Sequence, residues 1–301
     1  MTTSEYLERP HAEGYLSVDH KELYFRRFGD GDDVMLALHG GPGMPHDYLL
    51  PLSRHGSDEL SVVLYDQFGV GRSSGPAPGD FDGYTVEAYR EEVEAVRREL
   101  EPDRFVVYGQ SWGGMLALEY ALEYGEHLSG LVLANTLADT ASAYRSMRSR
   151  AEDLPSERLD VVEEHEARRA YDAPAYLDAL DDVYRAHVCR LEEYPRAVEH
   201  TLENVNTDVY GLMWGPNEYV LTETARLRGW DVRDELGTID VPTLVLTGTH
   251  DEIDPEIAVG IDDRLPDSRL VEFDSSSHMP FWEQPEEHYG TVETYLTERL
   301  E

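Results

Sequence analysis

The chain has 301 residues, 62 acidic against 25 basic side chains, a net charge of −37 and an apolar fraction of 41%. That length buries a sizeable core, while the charge disfavours nucleic acid and anionic membrane as partners. No apolar run is long enough to span a bilayer, and a single cysteine, Cys189, excludes an internal disulfide and points to a reducing compartment.

Lys21 is the only lysine; the other 24 basic residues are arginines. Acids this dense, dispersed among regular apolar segments, predict a salt-adapted cytoplasmic protein whose self-repulsion is screened by dense salt. The opening "MTTSEYLERPH" lacks a basic end followed by an apolar stretch, so no leader is expected.

In chain order, "LYFRRFG" (23–29) and "VMLALHG" (34–40) flank the turn "DGDD" and predict a hairpin. Strands are predicted at 61–66, 104–109, 128–135, 243–248 and 269–273, several as continuous apolar runs of the kind covered on both faces. Helix-patterned stretches at 85–100, 112–125 and 285–300 lie between or after them. Such alternation implies an α/β fold, a mostly parallel sheet with helices on both faces. From Leu137 to Arg228 strands give way to four helical segments, with Pro174 and Pro195 near helix starts. The expected organisation is a core (1–136), an all-helical cap (137–228) and the rest of the core (229–301).

The chemistry centres on "GQSWGG". Gly109-Gln110-Ser111-Trp112-Gly113 fits G-x-S-x-G, the nucleophile elbow of the α/β-hydrolase fold, with a strand before it and a helix after it. A tight turn there lifts the hydroxyl above the sheet at a helix N-terminus, where developing negative charge is favoured. A serine nucleophile needs a base and an orienting acid. In the chain order of this fold the acid precedes the histidine. Asp251 lies in the loop after strand 243–248, with Asp254 the alternative, and His278 lies in the loop after the last strand. His288, in a glutamate-rich helical stretch, is expected on the surface. His39-Gly40-Gly41-Pro42-Gly43 follows an early strand as an oxyanion loop, so the amides of Gly41 and Trp112 are the expected donors. "GVGRSSG" (69–75) has Ser74 where a dinucleotide fingerprint needs its third glycine. His39 and His46 have no metal-ligand company in sequence, so no metal is expected.

Together "HGGPGMPHDYLLPL", "LYDQFGVGRS", "GQSWGG", "MWGPNEY" and "SSSHMPFWE" resemble the proline iminopeptidases, serine aminopeptidases of the α/β-hydrolase fold, from about residue 12 to 298. The likeness is greatest to the archaeal branch that works beside the tricorn protease, which implies a functional link to a larger protease. It implies a triad of Ser111, Asp251 and His278, with oxyanion amides from Gly41 and Trp112. It further implies that Glu218 and Glu252 hold the substrate's free amino group. Phe68 departs from the bacterial relatives, which often carry arginine in "DQRGxGRS". Trp112, Tyr210 and Trp214 are candidates for an apolar wall around proline or another uncharged first residue, the alternative being plain packing. The implied substrates are short peptides, cleaved without metal or organic cofactor. An amidase or esterase acting on amino acid derivatives or other small molecules would use the same core machinery. A non-catalytic binding relative would be expected to lack a triad member, and none is lacking here.

Overall fold

The computed structural model describes residues 9–77 and 79–300, so the first eight residues of the stretch read for a leader lie outside it. Eight strands form one sheet: β1 (Ala12–Val18), β2 (Lys21–Phe28), β3 (Asp33–Leu38), β4 (Leu60–Tyr65), β5 (Phe105–Gln110), β6 (Gly130–Ala134), β7 (Thr243–Gly248) and β8 (Ser268–Phe273). Their spatial order is β1-β2-β4-β3-β5-β6-β7-β8. The pairs β1–β2 and β2–β4 are antiparallel and all others parallel.

Every residue of β3 to β7 is buried. Side chains alternate across a strand, so Val34, Leu36 and Leu38 enter one apolar cluster while Met35 and Ala37 enter another on the opposite face. The first cluster packs against α1 (Val86–Leu100), α2 (Trp112–Tyr124) and α8 (Pro255–Asp262). The second packs against a 3₁₀ run over His46–His55, the short α9 (Pro280–Glu283) and α10 (Pro285–Leu300). The predicted helices 85–100, 112–125 and 285–300 correspond to α1, α2 and α10.

The expected hairpin between segments 23–29 and 34–40 does not form, because β4 lies between β2 and β3. β3 is apolar after Asp33 and takes parallel partners on both sides. β2, with several half-exposed residues, is better suited to pairing with the outer strand. Its hairpin partner is β1, which sequence inspection missed. Val18 faces Lys21, and the two turn residues, Asp19 and His20, both have positive φ (45° and 70°). That geometry suits a two-residue hairpin.

Between β6 and β7 run five helices: α3 (Thr140–Glu152), α4 (Ser156–Ala167), α5 (Pro174–His187), α6 (Arg196–Glu203) and α7 (Thr207–Met213). Asp139 caps α3 by accepting from the Ser142 amide at 2.8 Å, and Pro174 opens α5. Asn206 caps α7 through its side chain and bonds two core loops, its amide donating to the Gly43 carbonyl at 2.9 Å and its Nδ2 to the Gly69 carbonyl at 2.6 Å. These helices are thereby fastened over the carboxyl ends of the strands.

His288 is buried rather than on the surface, hydrogen-bonded to the Tyr108 hydroxyl at 2.9 Å. Burial lowers its pKa to about 3, so the ring is neutral. It falls on the core-facing side of α10, where its ring meets those of Tyr108 and Phe281 edge-on and that of Phe273 at a tilt.

Candidate active site

Ser111 stands between β5 and α2 with φ +56° and ψ −121°. A non-glycine residue rarely adopts positive φ, and the surroundings must hold it there. The Ser111 amide donates to the Ala134 carbonyl at 3.0 Å, and its carbonyl accepts from Thr136 Oγ1 at 2.7 Å. A Cβ on Gly113 would overlap the Leu38 carbonyl, so the first turn of α2 sits directly against the end of β3. This brings the loop after β3 alongside the serine. A Cβ on Gly40 would stand 3.1 Å from that of Ser111.

The loop 39–43 is fixed by a hydrogen-bond network that motif inspection did not reveal. His39 is wholly buried, and desolvation lowers its pKa to about 4 despite nearby acids. Its neutral ring donates from Nδ1 to the Gly40 carbonyl at 3.0 Å and accepts at Nε2 from the Gln67 amide at 3.0 Å. Gln67 in turn accepts from the Trp112 indole at 2.9 Å. The Gly40 amide donates to the Tyr48 hydroxyl at 2.6 Å, which donates to Gln110 Oε1, and Gln110 Nε2 reaches the His278 carbonyl at 3.2 Å. Gly40's amide is therefore occupied, whereas Gly41 lines the cavity beside Ser111 and Trp112.

Asp251 is fully buried just beyond β7. Its Oδ1 accepts from His278 Nδ1 at 2.8 Å and from the Ile253 amide at 3.0 Å. Its Oδ2 accepts from Asn135 Nδ2 at 2.7 Å, and the same nitrogen donates to the Ser277 carbonyl at 3.1 Å. Asn135 ties the acid loop to the histidine loop and was not foreseen, since an asparagine after a strand carries no motif. Asp254, the alternative acid, instead caps α8. Glu283 clamps the histidine loop, accepting from the Ser277 amide and from the hydroxyls of Ser276 and Ser277, each at 2.8 Å. Burial works against protonation of His278, but Asp251 in contact, with Glu252 and Glu218 nearby, outweighs it and raises the pKa to about 9.

Ser111 and His278 open into a cavity of about 360 Å³, which is also lined by Gly41, Trp112, Tyr210, Trp214, Glu218 and Glu252. That volume suits a small-molecule or short-peptide ligand. Glu218, partly buried, accepts from the Tyr184 hydroxyl at 2.6 Å. Glu252, buried, accepts from the Tyr219 hydroxyl at 3.0 Å. Burial raises the Glu252 pKa, with Glu218 and Asp251 adding to the rise and His278 opposing it. Burial and these carboxylates push the hydroxyls of Tyr184, Tyr210 and Tyr219 well above their ordinary range, so all three are neutral. Tyr184 and Tyr219 also escaped sequence inspection, because aromatic residues in a helical segment read as packing. Among the described residues the lining carries three carboxylates, Asp181, Glu218 and Glu252, and no lysine or arginine, a setting that favours a positively charged ligand group.

His46, expected to have no metal-ligand company, has some: Asp66 at 2.7 Å, with Asp47 close by. The fold brings Asp66, just after β4, against the consecutive pair His46 and Asp47 at the start of the 3₁₀ run. The group is already charge-satisfied, since Arg26 and Arg72 pair with Asp47 at 3.3 and 3.0 Å, and the Arg72 amide donates to Asp66 at 2.9 Å.

A serine on a strand-to-helix elbow above a mostly parallel sheet defines the class: the α/β-hydrolase fold, whose family model matches residues 33–285. The proline iminopeptidase of Saccharolobus solfataricus is 35% identical over 288 residues, covering 94% of this chain and 92% of that protein. That of Thermoplasma volcanium is 34% identical, with 96% and 97% covered. Among solved structures, the proline iminopeptidase of Mycobacterium smegmatis has a TM-score of 0.87 at 30% identity, over 96% of this chain and 99% of that one. VinJ has a TM-score of 0.90 at 35% identity, with the same coverage. The chain belongs to the proline iminopeptidase family and is an enzyme of the serine hydrolase class. No helix among the described residues is long and apolar enough to cross a membrane.

Proposed function

We propose that this protein is a serine aminopeptidase that releases an N-terminal residue, proline or another uncharged one, from short peptides. The observation that carries the reading is the meeting of Glu218 and Glu252 in one cavity with Ser111 and His278. Carboxylates so placed bind a substrate's terminal ammonium and discriminate against a blocked, neutral N-terminus. Tyr210 and Trp214 wall the first-residue pocket.

On this reading the reaction begins at the serine. His278 Nε2 takes the proton of Ser111, whose Oγ attacks the carbonyl carbon of the first residue. The amides of Gly41 and Trp112 receive the oxyanion. The intermediate collapses as the C–N bond breaks, and the imidazolium gives its proton to the departing amine. Water, deprotonated by the same imidazole, attacks the acyl-enzyme, releasing the amino acid and restoring the Ser111 hydroxyl. Asp251 holds the ring throughout.

The acids that hold the ammonium also favour a proton on His278, which suppresses the base in the empty site. A bound ammonium opposes that proton electrostatically and lowers the imidazole pKa. Substrate binding therefore helps generate the base. The helices α3 to α7 act as a cap that admits short unfolded peptides and excludes folded chains. A cytoplasmic role downstream of a larger protease fits this selection for size.

The test compares Pro-, Ala- and Phe-p-nitroanilide with their N-acetyl forms. Strong preference for the free amines is expected; equal turnover of free and blocked substrates overturns the aminopeptidase reading.

A further inference from the structure

The cavity measures about 360 Å³, and apolar residues of its lining belong to two groups. Trp112, Tyr210 and Trp214 belong to the cluster on the α2 face of the sheet, with the anchor residue Tyr219. Cys189, Val198 and Met279 belong to the cluster on the opposite face, with Val188 and Tyr194 packed against it. Met279 adjoins His278 in the chain, and His278 is the group that protonates the departing amine. With the ammonium held at Glu218 and Glu252, the same cavity offers this second group to the departing half of the substrate.

The chemistry of the second group is uniform. Burial raises the Cys189 thiol to about 11, so it is a neutral apolar surface and not a nucleophile. Leu202 lines the outer part of the cavity and is 42% exposed, which places it at the mouth. Among the described residues no lysine or arginine lines the cavity. The nearby Arg185 is held by Asp181 at 2.7 Å, and its guanidinium lies 5.0 Å from the centre of the Tyr194 ring. A carboxylate entering here would lose water without gaining a counter-ion. Each further residue carries a peptide's terminal carboxylate outward by roughly 3.5 Å, towards solvent.

We propose that Val188, Cys189, Tyr194, Val198, Leu202 and Met279 form a leaving-group subsite that takes an uncharged, apolar second residue and rejects a carboxylate placed there. The proposal rests on the aminopeptidase reading above. It makes the enzyme poor on free dipeptides and better on tripeptides, longer peptides and neutral amides.

The experiment measures kcat/KM for Pro-Leu, its C-terminal amide, Pro-Leu-Gly and Pro-Asp-amide, alongside Pro-p-nitroanilide, on the wild type and Leu202→Lys. Wild type is expected to favour Pro-Leu-amide over both Pro-Leu and Pro-Asp-amide by at least roughly tenfold, with Pro-Leu-Gly near the amide. A lysine at the mouth supplies the missing cation and is expected to narrow the amide-to-acid ratio by roughly threefold or more. If none of Pro-, Ala- and Phe-p-nitroanilide is cleaved by the wild type, the aminopeptidase reading itself fails; if Ala- or Phe- is cleaved and Pro- is not, the same series is measured with that first residue. If the nitroanilide is cleaved but acid and amide differ by less than about threefold, or the ratio is the same in Leu202→Lys, the subsite is refuted.

Discussion

Replacing Glu252 by glutamine separates the two roles assigned to that carboxylate. The change keeps the side chain's size and leaves an oxygen to accept from the Tyr219 hydroxyl, now 3.0 Å away, so the fold should survive. The substrate ammonium loses the buried one of its two counter-charges. Breaking such a pair typically costs about 2–5 kcal/mol, which is roughly 30- to 5,000-fold in kcat/KM. The loss should fall on free-amine substrates only, so the preference for Pro-p-nitroanilide over its N-acetyl form should shrink by that factor. The second effect concerns the proton on His278. Its pKa of about 9 is raised by Asp251 and then by Glu252 and Glu218. Removing a negative neighbour disfavours imidazolium, so the folded-state pKa falls and the acid limb of the kcat/KM profile moves to lower pH. In the wild type, the limb in kcat should lie below that in kcat/KM, because the bound ammonium acts in the same direction. The assay is a pair of pH–rate profiles on free and acetylated nitroanilides. Equal losses on both substrates, or an acid limb that does not move, would refute the reasoning.

Three further outcomes are expected. Ser111→Ala should lower kcat by roughly 10⁴- to 10⁶-fold and abolish fluorophosphonate labelling without changing the far-UV circular dichroism; substantial residual labelling would move the nucleophile elsewhere. Gly40→Ala places a Cβ 2.9 Å from Gln110 Oε1 and 3.0 Å from the Tyr48 hydroxyl. The displaced oxyanion loop should reduce kcat by about 10²–10³ with KM little changed, whereas wild-type kcat would show the loop is not catalytic. Net charge −37 predicts a higher melting temperature in molar KCl than in dilute buffer, and coincident melts would remove the salt-adaptation argument.

The periodicity of apolar residues was enough to place the central strands and the helices α1, α2 and α10, because strands covered on both faces must be apolar throughout. Local chemistry also marked the elbow at Ser111, whose glycines are demanded by close backbone contact, and the loop at Gly41. What the sequence could not decide is what meets across long separations. The hairpin error arose because β2 and β3 are adjacent in chain but separated by β4 in the sheet, a choice made by burial of whole faces. His288 has a polar neighbourhood in sequence and an aromatic one in space. Asn135, Tyr184, Tyr219 and Glu283 carry no motif, and their roles exist only because the loops after β6, β7 and β8, the helices α5 and α9 and the segment after α7 converge. Glu218 and Glu252 were legible only through family resemblance. In a chain with 62 acidic residues, no local signal marks the two that meet in one cavity with Ser111 and His278; that meeting is created by the tertiary structure.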